Sequence, residues 1–292
     1  MSKFEQFLYR HLKLLRRSVQ IAILLLMIAI PILNRHQINF VIGTFYSISI
    51  GHLDFADPTI VLQTILLHKS IYLPLLLAGI LPLIIAMIFG RIFCSWMCPF
   101  NAMAEFIYWL RYKIKGRKAR NLKEVPNPRQ YPFWISFGIS TSILMVFGIP
   151  LFTYVSAPGI ISSQIADLLF SSELGLEVLL IFIILLIEFL FSRRLWCKYF
   201  CPIGIFLSLF RYKHTMQVQF DESKCIGNEK SSPCNAVCQF KLNPKKAGTF
   251  PFCHNCGDCV NICQNKYGKA LSFSFHKKLN NQDEHKTTQN FS

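Results

Sequence analysis

Seven of the eleven cysteines in this 292-residue chain crowd into residues 225–263, at spacings suited to holding metal rather than to cross-linking. The tightest set is Cys253-His-Asn-Cys256-Gly-Asp-Cys259-Val-Asn-Ile-Cys263, a C-x2-C-x2-C-x3-C run. That spacing wraps three thiolates around one cubane iron–sulfur cluster and sends the fourth, Cys263, towards another. Zinc is the competing use of such thiols, but four this close do not readily form the two separated knuckles of a zinc ribbon. Upstream, Cys225, Cys234 and Cys238 follow a wider C-x8-C-x3-C spacing, with Asn228 and Ser231 where ligands usually stand. One thiolate is missing there, so the seven cysteines serve either two clusters or one cluster beside a degenerate site.

The other four cysteines belong to a repeat. Arg91-Ile-Phe-Cys94-Ser-Trp-Met-Cys98-Pro99 matches Arg194-Leu-Trp-Cys197-Lys-Tyr-Phe-Cys201-Pro202 at a constant offset of 103 residues, and an Arg-Tyr-Lys triplet follows each, at 111–113 and 211–213. On a helical turn, positions i and i+4 share a face. Each Cys-x3-Cys-Pro pair can therefore present two thiols to a metal, to a disulfide-forming partner or to the other repeat, and all four could make one four-thiolate site. The plainer alternative is four buried structural thiols beside the interfacial aromatics Trp96 and Tyr199. Repetition of the whole motif, with its Arg and Pro, favours a site.

These cysteines have to be positioned by an unusually apolar chain: 52% hydrophobic, 16% charged, mean hydropathy +0.38. Such a composition belongs to a membrane protein. A bilayer core of about 30 Å takes roughly 20 apolar residues per helix, and residues 16–33, 71–90, 132–154 and 174–191 meet or nearly meet that length. Residues 38–50 and 59–67 are apolar but too brief to span, and read as re-entrant or interfacial. The basic then apolar N-terminus has no small-residue cleavage site after Val19 to Leu33, so it reads as a retained anchor.

The formal charge of +16 is explained by topology. Lys and Arg number five up to the start of the first span, Arg16 and Arg17 included, two in 34–70, nine in 91–131, none in 151–176 and fifteen from Arg193 onward, all 31 in the chain. Basic loops stay in the cytoplasm, so both termini are placed there, and no nucleic acid is needed to explain the charge. The expected architecture is an α-helical membrane domain, residues 1–213, of about four transmembrane helices in two hairpins. Each hairpin ends in a Cys-x3-Cys-Pro turn (94–99, 197–202) and an interfacial helix, Phe100 to Ile114 or Ile203 to Tyr212. A small cytoplasmic α+β iron–sulfur domain follows at 214–275, too poor in large apolar residues to fold without bound metal. The polar tail 276–292 is read as disordered.

Among ionisable residues, Glu188 inside the fourth span reads either as a proton relay or as the partner of Arg193 or Arg194. His36, His52, His68 and Asp57 fall in or beside the first exported loop. No phosphate loop, nucleophile elbow or haem-attaching C-x-x-C-H occurs, so nucleotide-driven and hydrolytic chemistry are unsupported, and no catalytic residue is marked.

The seven C-terminal cysteines resemble those of seven-iron ferredoxins. That resemblance assigns a [4Fe-4S] cluster to Cys238, Cys253, Cys256 and Cys259, and a second cluster, [3Fe-4S] or [4Fe-4S], to Cys225, Cys234 and Cys263. The chain as a whole resembles the NapH/MauN family of ferredoxin-type membrane proteins, chiefly at Gly90 to Asn101, Arg194 to Gly204, Asp57-Pro58 and Leu62-Gln63. The resemblance implies a multi-pass protein of the bacterial inner membrane, the membrane subunit of a quinol dehydrogenase. Its partners would be the quinone/quinol pool and a periplasmic ferredoxin-type subunit feeding a reductase of the nitrate reductase type. The wide Cys225 to Cys234 spacing and the missing Pro after Cys238 and Cys263 depart from the family pattern. Two other roles are open: copper reduction or assembly for a respiratory oxidase, as in relatives that share the Cys-x3-Cys-Pro repeats, and a membrane anchor for a soluble ferredoxin.

Overall fold

The computed structural model describes residues 3–35, 41–44, 47–50, 53–115, 127–170, 175–191, 194–212, 214–225, 233–246, 249–266 and 268–275. His36, His52 and the tail 276–292 lie outside them. The described chain is mostly helical. It opens with α1, Lys3–Arg35, which starts well before the expected first span and carries the basic N-terminal residues on the same helix. By length and composition, Phe7–Arg35 is long and apolar enough to cross a membrane.

The other three expected spans are shorter apolar helices: α3 (Leu73–Phe89) and α6 (Tyr131–Phe147) with 17 residues each, and α9 (Glu177–Phe191) with 15. At about 1.5 Å per residue they fall a little short of a bilayer core. Their outward faces are apolar, with Ile84, Ile85 and Ile88 on α3 and Phe182, Ile183 and Leu186 on α9 all exposed. Helix α3 begins on a first-turn proline and stops at Gly90, whose φ of +68° only glycine adopts cheaply.

Between α1 and α3 the chain folds an antiparallel meander, β1 (Val41–Thr44), β2 (Ser47–Ile50) and β3 (Leu53–Ala56), in the register Val41↔Ile50 and Ser47↔Ala56. Helix α2 (Pro58–His68) follows and returns alongside α3. Asp57 and His68, grouped together by sequence, thus stand at opposite ends of an 11-residue helix, with His68 exposed. The second half repeats the arrangement. Here α7 (Leu151–Val155) leads into α8 (Ala157–Phe170), another short helix with a proline in its first turn, which packs on α9.

After the first Cys pair α5 runs from Pro99 to Lys115. The expected interfacial helix after the second pair is instead α10, Pro202–Leu209, and seven of its eight residues are buried. Its sequence is apolar around the whole helix, so it has no polar face to offer the interface and packs against α2, α3 and α6.

The C-terminal part pairs β4 (Gln217–Phe220) antiparallel with β5 (Leu271–Ser274), and α11 (Pro233–Val237) packs on α12 (Asp258–Lys266). Its core of Val260, Ala270, Leu271 and the thiols of Cys234 and Cys263 takes in Tyr9 of α1. The Asn261 amide donates to the carbonyls of Tyr9 and Arg10 at 2.7 and 3.0 Å.

Candidate iron–sulfur sites

Both repeated cysteine turns close the same way. After Gly90, the short helix α4 (Ile92–Trp96) ends with the Cys98 amide donating to the Phe93 carbonyl at 3.1 Å; the Cys201 amide donates to the Trp196 carbonyl at 2.9 Å. Each bond spans five residues, and positions 93 and 196 are again 103 apart. Such wide π-type closures cluster at functional sites. Pro99 and Pro202 come next, where a missing N–H starts a helix at no loss.

The two turns converge. Cys94, Cys98, Cys197 and Cys201 line one cavity, together with Arg91, Phe100, Asn101, Pro158, Phe240 and His254. Pro158 brings the N-terminus of α8 to the cavity. Asp57, the N-cap of α2, lies close enough for its charge to act on Cys94 and Cys201. Each half of the chain therefore contributes a Cys pair, and the Asp57 charge opposes thiolate formation at Cys94 and Cys201. Asp57 accepts from the Thr59 amide and hydroxyl at 2.9 and 2.8 Å, and burial, partly opposed by those bonds, raises its carboxyl to about 6.

The repeated arginines have different partners. Arg91 donates to the Pro251 carbonyl at 2.9 Å and the Cys197 carbonyl at 3.1 Å, so the first repeat clamps both the second turn and the loop that enters the C-terminal Cys run. Arg194 donates to Gln239 and lies 3.9 Å from Glu188.

The structure sorts the other seven cysteines into two groups. Cys238, Cys253, Cys256 and Cys259 lie near enough that their thiolate charges act on one another. Cys225, Cys234 and Cys263 gather in the core beneath β4 and β5, with Cys259 at its edge. The loop that carries the run is pinned to the helical part. Ser95 Oγ donates to the His254 carbonyl at 2.7 Å, and the Asn255 amide donates to the carbonyls of Phe89 and Met216 at 2.9 and 2.8 Å. His254 is buried, packs edge-on against Phe240 at 4.5 Å, and belongs both to the four-thiol cavity and to the loop next to Cys253. The two sites are neighbours.

Burial pushes Cys94, Cys98 and Cys197 up, Cys201 to about 12 and Cys238 to about 11. Cys253, Cys256 and Cys259 rise for the same reason. Buried thiols of this kind stay protonated until a cationic centre replaces the proton, so the donor set suits iron held as thiolate complexes. Cys263 differs: a hydrogen bond from Cys234, stronger than the burial effect, with the Leu271 amide at 3.3 Å, lowers it to about 6.

A family model described as a 4Fe-4S binding domain matches residues 71–118 and 174–216. An uncharacterized protein of Methanocaldococcus jannaschii is 30% identical over 196 residues, 66% of this chain and 75% of that protein. The methylamine utilization ferredoxin-type protein MauN of Paracoccus denitrificans is 27% identical over 252 residues, 86% of this chain and 75% of its own. The ferredoxin-type protein NapH of Haemophilus influenzae is 25% identical over 238 residues, 76% and 77%. The chain belongs to the NapH/MauN family of ferredoxin-type proteins. It is a 4Fe-4S electron-transport protein of that type. No solved structure matches it.

The two matched stretches hold the Cys-x3-Cys-Pro repeats and end before Cys225. In this NapH/MauN-type chain the 4Fe-4S description therefore falls on the cysteines whose use was least legible in the sequence. Sequence reasoning also missed three buried charges. Arg16 of α1, 1% exposed, bonds Asp258 at 3.1 Å and lies 3.3 Å from Glu105 of α5. Arg16 counts as a topology charge in the sequence, and its i, i+4 spacing from Gln20, where the apolar stretch of the helix begins, was the available signal that this face meets protein.

Proposed function

We propose that this chain spans the membrane with both termini cytoplasmic, oxidises lipid-phase quinol, and passes the electrons through iron–sulfur sites to a ferredoxin-type partner of a periplasmic reductase. The observation that carries the reading is the convergence of both Cys-x3-Cys-Pro turns on one cavity that shares His254 with the loop of the C-terminal Cys run. The ligands assigned are Cys94, Cys98, Cys197 and Cys201 for one site, Cys238, Cys253, Cys256 and Cys259 for a [4Fe-4S] cluster in a ferredoxin-like segment, and Cys225, Cys234 and Cys263 for a further cluster. Such clusters supply one-electron steps between a two-electron donor and the next carrier.

The chain's own residues set the conditions. Arg91 fixes the two turns against each other and against the loop before Cys253, so the two sites keep a constant separation. Burial by Phe100, Phe240 and Ile203 keeps water from the thiols.

The test uses the full chain in proteoliposomes. Iron and acid-labile sulfide are counted, and the clusters are followed by EPR and absorbance while a short-chain quinol is added. Reduction of the clusters by quinol is expected; clusters that carry full iron yet stay oxidised sink the quinol reading.

A further inference from the structure

Among the described residues, three buried arginines surround His254: Arg16, Arg91 and Arg194, at 1%, 4% and 3% exposure. Each is close enough for its charge to act on the imidazole. Two of them are neutralised where they stand. Arg16 lies between Glu105 and Asp258, at 3.3 and 3.1 Å, and Arg194 has Glu188 at 3.9 Å. Arg91 differs: among the described residues no carboxylate lies within ion-pair distance of it. Its partners are neutral, the carbonyls of Pro251 and Cys197 and the face of Phe133, whose ring centre is 5.9 Å from the guanidinium carbon. A buried charge without a counter-charge is costly, and such a cation is retained where a negative centre belongs beside it.

Position says which centre. Arg91 lines the cavity of Cys94, Cys98, Cys197 and Cys201, and it also lines the cleft that holds Cys253. Its charge reaches Cys94 and Cys201 on one side and Cys253 on the other. Arg194, its counterpart in the second repeat, acts on Cys197 together with Glu188, and there the carboxylate has the larger effect. The second repeat also makes room for the first repeat's arginine. Gly204 of α10 packs against the guanidinium, and a Cβ there would overlap Nη2. The residue 103 positions earlier is Asn101, which donates to Glu105 instead. The halves match in their cysteines and differ where this arginine sits.

A thiolate-ligated iron–sulfur centre gains one negative charge with each electron it accepts, and its potential follows its charge surroundings. A fixed cation beside it, in an interior of low dielectric, favours the reduced form. We propose that Arg91 is the shared counter-charge of the repeat-cysteine site and of the [4Fe-4S] site at Cys238, Cys253, Cys256 and Cys259, holding both potentials up together. This rests on the reading that both sets of thiols hold iron, and adds to it what sets their potentials. Arg91 acts through the ligands it faces, so it is a positioning residue, and a potential is the quantity it moves.

The test is a redox titration of the full-length protein in nanodiscs with mediator dyes, each cluster followed by EPR, after iron and sulfide have been counted. Signals are assigned to sites by their loss in Cys98→Ser and Cys256→Ser. At a fixed potential Arg91→Gln is expected to lower the reduced-to-oxidised ratio by about tenfold or more at both sites. Arg91→Lys, which keeps the charge, is expected to stay near the parent. Gly204→Ala leaves the arginine in the chain but pushes its end aside, so both ratios are expected to fall by less; this variant decides the matter should Arg91→Gln lose its iron. A fall at one site alone overturns the shared role. Unchanged ratios at both sites overturn the proposal and leave the two-site reading standing. Iron on only one set of cysteines in the parent defeats that reading and the proposal with it.

Discussion

Gly257, between Cys256 and Asp258, has φ +76°, and a Cβ there would run into the Leu12 side chain of α1. An L residue in the left-handed region costs about 1–2 kcal/mol before any clash is counted. Gly257→Ala is therefore expected to lower the temperature at which the iron–sulfur absorbance bleaches, with Leu12→Ala relieving part of the loss. Gly138 of α6 is the contrast: its added Cβ meets nothing within 4 Å. Within a helix, alanine is favoured over glycine by about 0.8–1 kcal/mol. Gly138→Ala is expected to hold or raise the same bleaching temperature. The difference lies in what surrounds each residue, and the sequence offers only part of it. Gly257 stands inside a spacing that demands a tight loop, whereas nothing in the sequence indicates that α1 lies across that loop.

At the scale of elements, buried polar side chains hold helix to helix. The Arg16 guanidinium joins α1 to α5 through Glu105 and to α12 through Asp258, the residue before Cys259. Removing one partner of such a network leaves unpaired buried charge, at a cost of about 3–5 kcal/mol. Arg16→Gln is expected to destabilise the protein to that extent in denaturant titrations that follow cluster absorbance, with partial rescue by Arg16→Lys. Gln63 does the equivalent for α2: its carbonyl accepts from the Phe152 and Thr153 amides at 2.9 and 3.3 Å, and its amide donates to the Thr153 hydroxyl at 2.8 Å. Gln63→Leu strands the Phe152 N–H at about 1–3 kcal/mol, while Thr153 keeps its bond to the Pro150 carbonyl at 3.1 Å. It should loosen α2 against α7, seen as faster hydrogen exchange at Phe152. The repeated Cys turns and the C-x2-C-x2-C-x3-C run were legible because ligand spacing is a local property of the chain. Helix α2 was legible only as an apolar segment, 59–67, too brief to span, and α8 not at all: at 14 residues it is too short for a span and too apolar all round for a clear amphipathic period. The largely buried α10 was misplaced at the interface for a related reason, since an apolar stretch after a Cys-Pro turn does not say on its own what covers it.

For the whole molecule, the division into a helical part and a C-terminal iron–sulfur part is a division of sequence more than of packing. Tyr9 stacks on Phe273 at 6.4 Å, Leu12 abuts Gly257, Arg16 bonds Asp258, and Asn261 holds the carbonyls of Tyr9 and Arg10. The first turns of α1 thus complete the surface on which α12 and β5 rest. A fragment covering 214–292 lacks all of these contacts, and its own core is small. Metal binding and folding are coupled in segments of this size, so loss of packing becomes loss of metal. The fragment alone is expected to retain less iron after desalting than the same segment in the full chain. Deleting residues 1–18 from the full chain should lower iron retention at the C-terminal sites while the repeat cysteines, held by α3, α5, α9 and α10, keep theirs. If iron per chain and cluster EPR are unchanged by that deletion, α1 serves as an anchor alone. A selective loss at the C-terminal sites makes its N-terminal end part of the electron-transfer domain, on the same side as the C-terminal cysteines.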